Sequence, residues 1–278
     1  MTQNHDSPAA TTSFADDLEL ALRLADHADS ISRSRFRAFD LHVTAKPDRT
    51  PVTDADRAVE EAIRAVLDAT RPGDGILGEE FGEAVSTSAR QWIIDPIDGT
   101  ANFMRGVPVW ATLIALAVDG VPVVGVVSAP ALGRRWWGAR GLGAFTTDAL
   151  DGGPDEVRPL AVSGISDLAD ASLSYNSLKG WDEAGRLDEL TELSRAVWRT
   201  RAYGEMWSYM MVAEGQLEIA AEFDLQPYDM AALVPIIEEA GGRFSSVDGV
   251  EGPWSGSALA TNGHLHEATL AVVSHASR

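Results

Sequence analysis

The chain has no cysteine among its 278 residues, which excludes disulfides, thiolate metal sites and cysteine nucleophiles. Basic residues are scarce, 22 against 42 acidic ones, and the formal net charge is −20. Because nucleic acids and anionic membranes would repel such a protein, we expect neither of them as a partner. No apolar run in the sequence reaches the roughly 20 residues that span a membrane.

Several familiar enzyme motifs are also missing: a Gly-x-Ser-x-Gly elbow, a Walker loop and a dinucleotide-binding fingerprint. The six histidines are scattered without the spacing of metal ligands. Residues 1–12 are polar and have neither the basic nor the apolar region of a signal peptide, so we predict a disordered tail and a cytoplasmic location. The hydrophobic content of 45% is enough for a substantial core.

The first part of the chain has the pattern of an α+β half. Two helical patterns begin near Ser13 and Thr53, each with an acid three residues after its cap. Several β-prone segments follow, and Asp119-Gly120 between two of them indicates a hairpin. We therefore predict that residues 13–150 form two helices and a mainly antiparallel sheet that carries the metal site.

The second part alternates between strand and helix patterns. Residues 148–159 are rich in Asp, Gly and Pro and predict a surface loop or hinge. Beyond them, helices are expected over 182–196 and 229–240, with short strands between the helices. This alternation predicts an α/β half over 151–278 that completes the metal and substrate site.

The most informative segment is an apolar strand that ends in two acids, Asp95 and Asp98, on either side of Pro96. Since proline has no backbone N–H, we expect the strand to end at Pro96. The two carboxylates would then converge, with the Ile97 carbonyl between them. Oxygen-only ligands suit a hard cation such as Mg²⁺. The alternative is a strand followed by an Asp-Gly turn with solvated carboxylates.

Three further acids lie at the edges of apolar elements. Glu79 ends a short apolar run, Asp229 begins a helix, and Asp56 lies in the first turn of another helix. A helix N-terminus favours a carboxylate and can also hold a phosphate. Simpler interpretations stay open: Glu79 as a solvated loop residue, Asp229 as a helix N-terminal acid, and Asp56 as the capping-box partner of Thr53.

In these motifs the chain resembles the inositol monophosphatase family of Mg²⁺-dependent, lithium-sensitive phosphatases. The resemblance covers the chain from about Phe14 to its end, and it implies a layered αβαβα sandwich. The motifs that carry it are Gly78-Glu79-Glu80, Asp95-Pro96-Ile97-Asp98-Gly99-Thr100, and the segments 51–56 and 228–233.

The resemblance implies a site with two or three Mg²⁺ ions. Glu79, Asp95 and the Ile97 carbonyl correspond to ligands of the first ion. Asp95, Asp98 and Asp229 correspond to ligands of the second ion, and a third, weaker ion would lie near Glu79.

The same resemblance implies catalytic and substrate-binding roles. Thr100 and Asp56 correspond to the pair that orients the attacking water, and Glu79 is the third catalytic residue. The backbone amides of Gly99 and Thr100 correspond to phosphate contacts. No covalent phosphoenzyme is needed for such metal-assisted in-line displacement.

Longer stretches are similar to the histidinol-phosphatase branch known from actinobacteria; they are 105–111, 127–132, 203–205 and 260–263. The likeness implies hydrolysis of L-histidinol phosphate in histidine biosynthesis, with Glu205 and Glu222 contacting the cationic alcohol part. Alternatively, Glu205 caps its helix and Glu222 is a solvated strand end.

Three other functions stay open: an inositol-1-phosphate phosphatase, a broad sugar-phosphate phosphatase and a non-catalytic binding protein. The expected partners are a small-molecule phosphate ester and a second copy of the chain in a homodimer.

Overall fold

The computed structural model of the chain describes residues 13–45, 50–84, 86, 88–148 and 156–275. The predicted tail at 1–12 and residues 149–155 of the predicted loop lie outside the described residues.

The helices of the described residues are α1 (Ala15–Arg35), α2 (Asp54–Thr70), α3 (Thr100–Met104), α4 (Leu178–Glu183), α5 (Leu187–Ala196), α6 (Glu205–Ala213), α7 (Pro227–Met230), α8 (Leu233–Glu239) and α9 (His266–His275). The strands are β1 (Val43–Ala45), β2 (Pro51–Thr53), β3 (Gly75–Gly78), β4 (Gly82–Ala84), β5 (Arg90–Asp98), β6 (Ala111–Val118), β7 (Val121–Ala129), β8 (Arg134–Ala139), β9 (Gly143–Asp148), β10 (Val157–Pro159), β11 (Ser172–Ser174), β12 (Arg199–Arg201), β13 (Ile219–Phe223), β14 (Arg243–Ser245) and β15 (Ser257–Thr261).

A large sheet forms the centre of the first half, in the order β10-β9-β8-β7-β6-β5-β3-β4. Its neighbouring strands are antiparallel except β3 and β5, which run parallel. Because side chains alternate between the faces of a strand, Ile114 and Leu116 pack with α1 and α2 while Leu113 and Ala115 point the other way. Both faces are therefore buried, which explains the continuous apolar run of β6.

The second half contains a smaller mixed sheet in the order β12-β11-β13-β15-β14. Helices α6, α7 and α8 lie between the two sheets, where Met210 and Ile236 join residues of both in one core. Helices α4, α5 and α9 cover the outer face of the small sheet, with Trp181 and Leu193 in that core. The layers are thus αβαβα, and the predicted fold class is confirmed.

The prediction that the strand carrying Asp95 ends at Pro96 was wrong. Strand β5 continues to Asp98, which pairs with Ala111 of β6, and the register shifts between Asp95 and Asp98. A bulge accommodates a proline because the extra residue leaves the ladder. The Pro96 carbonyl accepts a hydrogen bond from Thr112 Oγ at 2.8 Å instead.

Three other predicted elements needed correction. The segment Val157–Pro159, expected in a loop, is strand β10 and pairs with β9. The predicted helix 182–196 is divided into α4 and α5 near Gly185, whose φ of 70° ends the first helix. The predicted helix 229–240 is likewise two helices, α7 and α8. The division of the chain at 150/151 stays a prediction.

None of the helices within the described ranges combines the length and the apolar character needed to cross a membrane.

Candidate active site

Three acids from separate parts of the chain meet at the end of the large sheet. Asp95 and Asp98 come from the bulged end of β5, and Asp229 comes from α7. Each offers a carboxylate oxygen, and these oxygens lie within 4.8 Å of one another. The bulge turns two acids of one strand toward the same point, where a regular strand would separate them by its alternation.

A backbone N–H holds one oxygen of each of these three carboxylates in place. Hydrogen bonds from amides to a carboxylate are charge-assisted and shorter than neutral ones. The three bonds are Ile97 N to Asp95 Oδ1 (3.0 Å), Met206 N to Asp98 Oδ2 (2.8 Å) and Gln226 N to Asp229 Oδ2 (2.6 Å).

The electrostatics of this group fit a divalent cation. Burial raises the pKa of Asp95 well above its ordinary value, and the charges of Glu79, Asp98 and Asp229 raise it further. Burial also raises the pKa of Asp229, to about 7. Buried carboxylates that repel one another in this way favour either protons or a metal ion. Because the side-chain donors are carboxylate oxygens, they match a hard cation such as Mg²⁺.

Glu79 lies beside this group at the end of β3. Its backbone N–H donates to the Ile94 carbonyl at 3.2 Å, so the residue is tied to β5. Its side chain is close enough to Asp95 for a hydrogen bond and for its charge to raise the Asp95 pKa. The structure therefore brings together all four acids that the sequence predicted, and their roles as ligands stay a prediction.

Glu60 of α2 holds the loop that contains Glu79. The Glu60 side chain is fully buried and accepts hydrogen bonds from the Glu80 N–H (2.8 Å) and the Phe81 N–H (3.3 Å). A Cβ on Gly78 would collide with the Glu60 carboxylate. A side chain at position 78 would therefore displace that carboxylate from its hydrogen bonds to the loop that contains Glu79.

Asp56 forms a capping box and also contacts Thr100, while its role in orienting the attacking water stays a prediction. Thr53 and Asp56 form a capping box at the start of α2, in which Asp56 Oδ2 accepts from the Thr53 N–H at 2.9 Å. Asp56 Oδ1 accepts from Thr100 Oγ at 3.0 Å, and Thr100 Oγ also lies 3.1 Å from the Ile97 carbonyl. The capping box thereby presents the other oxygen of Asp56 to Thr100.

The segment after β5 rests on an aromatic cluster. The Phe103 and Trp110 rings meet edge to face with centroids 4.8 Å apart, and Phe36 packs against both. Ile97 is buried in the same cluster. By packing with Ile97, these rings support α3 and the Ile97 carbonyl. No sequence pattern indicated this cluster, because Phe36 lies far along the chain from the other two rings.

Gly99 is restricted by its conformation and by its neighbours. Its φ is 82°, and a Cβ there would lie 3.1 Å from the Val109 carbonyl and 3.2 Å from Glu205 Cγ. The residue turns the chain from β5 into α3, whose first amides have no partner within the helix. The amides of Gly99 and Thr100 thus lie at the start of α3, and their contacts with phosphate stay a prediction.

A cavity of about 310 Å³ is lined by Glu205, Glu222 and Asn176. The Glu205 charge is, after burial, the largest influence raising the pKa of Asp98, which places Glu205 next to the acid group. Glu222 is only 9% exposed, and burial raises its pKa to about 8. The alternative that Glu222 is a solvated strand end was therefore wrong.

Glu205 is the first residue of α6, with φ at 51°. Its side chain does not cap the helix and instead accepts a hydrogen bond from Asn102 Nδ2 at 3.0 Å. Asn102 lies two residues after Thr100, the end of the motif that begins at Asp95, and its position there was the only signal for this contact.

Comparison with known proteins agrees with this geometry. The model of the inositol monophosphatase family matches residues 15–278. The chain is 58% identical to the histidinol-phosphatase of Mycobacterium tuberculosis over 92% of this chain and 96% of the relative. It is 56% identical to the histidinol-phosphatase of Streptomyces coelicolor over the same shares.

A solved structure shares the fold. An inositol monophosphatase from Zymomonas mobilis superposes with a TM-score of 0.82 at 34% identity, covering 95% of this chain and 100% of that one. By sequence and by fold, the chain belongs to the inositol monophosphatase family.

Proposed function

We propose that the protein is a Mg²⁺-dependent phosphomonoesterase that hydrolyses L-histidinol phosphate to L-histidinol and phosphate. The relatives from Mycobacterium tuberculosis and Streptomyces coelicolor, both named histidinol-phosphatase, support this substrate. The observation that carries the proposal is the acidic cavity at Glu205 and Glu222 beside the group of Asp95, Asp98 and Asp229.

The acidic cavity suits histidinol phosphate better than inositol 1-phosphate. Histidinol phosphate carries an ammonium and a titratable imidazole, whereas inositol 1-phosphate offers only neutral hydroxyls beyond its phosphate. Carboxylates that do not bind metal are a favourable partner for a cation in a buried cavity. The acids Glu205 and Glu222 therefore favour the cationic ester over the polyol ester.

The residues that would hold the metal ions are those predicted from the sequence. Glu79, Asp95 and the Ile97 carbonyl would bind one Mg²⁺, and Asp95, Asp98 and Asp229 would bind a second. A third, weaker ion near Glu79 belongs to the same proposal. Bound ions of this kind supply Lewis acidity to the phosphate oxygens and to the attacking water.

The chain itself would orient the attacking water through Thr100. The Thr100 hydroxyl has one hydrogen, and two acceptors compete for it, Asp56 Oδ1 and the Ile97 carbonyl. Its oxygen lone pairs are therefore left to accept a hydrogen from a water molecule. Of the two acceptors, Asp56 is the one that can take up the proton of the Thr100 hydroxyl. The amides of Gly99 and Thr100 would bind the phosphate.

The test is phosphate release by the purified protein with Mg²⁺ over histidinol phosphate, inositol 1-phosphate and fructose 1,6-bisphosphate. We expect the highest kcat/KM for histidinol phosphate. Preference for the inositol or sugar ester would reject the substrate and keep the reaction class. No turnover of any ester would favour a non-catalytic binding protein.

Replacement of Glu205 by Gln should weaken binding of the cationic ester selectively. The amide keeps the size of the side chain and its bond to Asn102, but it loses the charge that pairs with the ammonium. Since a hydrogen bond to a charged group contributes about 1.5–3 kcal/mol, we expect KM for histidinol phosphate to rise at least about tenfold. Steady-state kinetics with p-nitrophenyl phosphate, an ester without a cation, should show a smaller change.

The control for this variant is Glu192→Gln on the exposed surface of α5, whose side chain pairs only with its neighbour Arg195 among the contacts described. It should leave both KM values unchanged. Equal rises of KM for the two esters in Glu205→Gln would reject Glu205 as the ammonium contact.

We also propose a homodimer, as the sequence analysis predicted. Two large apolar side chains near one edge of the small sheet are exposed, Trp198 (67%) and Leu178 (55%). The neighbouring β12 is the edge strand of that sheet. Light scattering on the eluting protein should give about twice the chain mass of 29.7 kDa; the mass of a single chain would reject the dimer. The cytoplasmic location stays a prediction.

A further inference from the structure

Asn176 lies in the wall of the acidic cavity, in the turn that follows β11. Its φ of 48° is in the left-handed region, which asparagine adopts more readily than most residues with a side chain. The conformation turns the side chain away from the strand direction and toward the start of α6. No motif in the sequence indicates a role for this residue.

The carbonyl end of the Asn176 side chain is held on several sides. Oδ1 accepts hydrogen bonds from Ser174 Oγ at 2.9 Å, from the Gly204 N–H at 3.3 Å and from Ser208 Oγ. Because a backbone N–H can only donate, the atom that faces Gly204 must be the oxygen. The orientation of the amide is thereby determined, and its NH₂ group must point to the other side.

The amide nitrogen of Asn176 is buried and meets no acceptor in hydrogen-bonding geometry among the residues that the structure describes. Asn176 and Glu222 line the same cavity, and the Asn176 amide is close enough to lower the Glu222 pKa against the larger effect of burial. A buried donor without an acceptor is costly. The acceptor within reach is the Glu222 carboxylate, so a small adjustment of either side chain completes the bond.

Glu205, which also lines the cavity, is held in a similar way. Asn102 Nδ2 donates to Glu205 Oε1 at 3.0 Å and to the Val109 carbonyl at 2.9 Å. An arginine or lysine in either place would hold the carboxylate and also cancel its charge. A neutral amide donates a hydrogen bond without bringing a positive charge that would compete with the cation of the substrate. Lys179 also lines the cavity, but its ammonium pairs with Glu183 at 3.1 Å.

We propose that Asn176 is a positioning residue: its amide donates to Glu222 and holds that carboxylate toward the cationic part of the substrate, as Asn102 does for Glu205. The two amide-held acids together form a site that selects phosphate esters with a cationic alcohol. This inference rests on the proposed function, since it assigns the specificity of the same reaction to these residues.

The variant Asn176→Asp tests the donor alone. Aspartate keeps an oxygen for Gly204, Ser174 and Ser208 and tolerates the left-handed φ, but it has no N–H to offer Glu222. We expect KM for histidinol phosphate to rise about tenfold, the effect of one lost bond to a charged group, with kcat within about twofold of wild type.

A second variant separates positioning from simple charge. Asn176→Gly also fits the backbone conformation and removes the donor without adding an acid. If Asn176 acts by holding Glu222, both variants raise KM. If the charge of the cavity alone determines binding, Asn176→Asp lowers KM and Asn176→Gly leaves it unchanged, which would overturn the proposal. The glycine variant also gives the measurement if the aspartate variant does not fold.

The decisive measurement is a double-mutant cycle with Glu222→Gln, followed through KM. If Asn176 works through Glu222, Asn176→Asp has no further effect on KM in the Glu222→Gln background. Additive effects would overturn the proposal, because Asn176 would then act independently of Glu222.

Failure of the proposed function has a different signature. If wild-type protein prefers another ester, the substrate proposal fails, and the cycle is measured with that ester. Lack of coupling between Asn176 and Glu222 on an ester that the wild type hydrolyses would overturn this inference alone.

Discussion

Asp95→Asn is expected to abolish phosphate release while the protein stays folded. Asp95 lies at the centre of the acid group, next to Asp98, Asp229 and Glu79, and it is the carboxylate shared by both proposed Mg²⁺ ions. Asparagine keeps one oxygen for the Ile97 N–H but loses the charge and the second ligand oxygen. Because metal ions contribute several kcal/mol of transition-state stabilisation, we expect kcat/KM to fall at least about a thousandfold.

The fold should survive this change because the carboxyl group is buried among other acids. Burial and the neighbouring negative charges already raise the pKa of Asp95 well above its usual range. A neutral amide of the same size removes that repulsion, so the variant should melt at least as high as wild type when EDTA has removed divalent cations. Circular dichroism gives the melting temperature, and calorimetry should show that Mg²⁺ binding is lost.

The matched control is Asp68→Asn on the exposed side of α2, which should keep full activity and full Mg²⁺ affinity. Asp95→Asn protein that still releases phosphate at the wild-type rate would contradict the assignment of Asp95 as a metal ligand. An unfolded Asp95→Asn protein would contradict the argument that the acid group destabilises the fold when no cation is bound.

Much of the architecture could be predicted because its signals are local. The apolar faces of α1 and α2 repeat at helical spacing, and Asp119-Gly120 lies between two β-prone segments. The left-handed φ values at these two turn residues, 51° and 75°, are those of the expected hairpin turn. Such patterns depend only on neighbours in the sequence.

The two errors in the strands came from pairing between distant segments. Nothing near Pro96 shows that β5 continues past it, because the bulge depends on the partner strand β6. Strand β10 was missed for the same reason: its three residues form a strand by pairing with β9. In both cases pairing with a neighbouring strand overruled a local signal, the proline in β5 or the loop-like composition of β10.

The supporting residues of the site were also beyond the reach of sequence patterns. Asn176 meets Gly204 and Ser208, which are 28 and 32 residues away along the chain. Glu60 contacts the loop that contains Glu79 through residues 20 and 21 positions further along the chain. Motifs identified the residues proposed to touch metal and phosphate, whereas the residues that hold them were visible only in the folded chain.

The EDTA-treated protein is expected to lose stability as the pH rises from about 4 to about 8. Folding raises the pKa of Asp229 from 3.8 to about 7 and that of Glu222 from 4.5 to about 8, in both cases mainly by burial. In this range the folded state binds more protons than the unfolded state, so the free energy of unfolding falls with rising pH. The contribution is complete below the unfolded pKa values and is lost as the pH passes the folded ones.

Magnesium should stabilise the folded protein more strongly as the pH rises. The ion binds deprotonated carboxylates, so its affinity increases over the same pH range in which the EDTA-treated protein loses stability. Because a ligand of the folded state stabilises it by mass action, the rise in melting temperature on adding Mg²⁺ should be small at pH 5 and large at pH 8. Melting curves with EDTA and with excess Mg²⁺ at both values measure the difference.

The variant Asp229→Asn tests whether Asp229 contributes to the loss of stability with rising pH. An amide at this position cannot titrate, so the EDTA-treated variant should show a flatter dependence of melting temperature on pH than wild type. Its stabilisation by Mg²⁺ at pH 8 should also be smaller, because one proposed ligand charge is gone. A wild-type melting temperature that rises with pH between 5 and 8 in EDTA, or an unchanged slope in Asp229→Asn, would show that the buried acids of this site do not destabilise the fold.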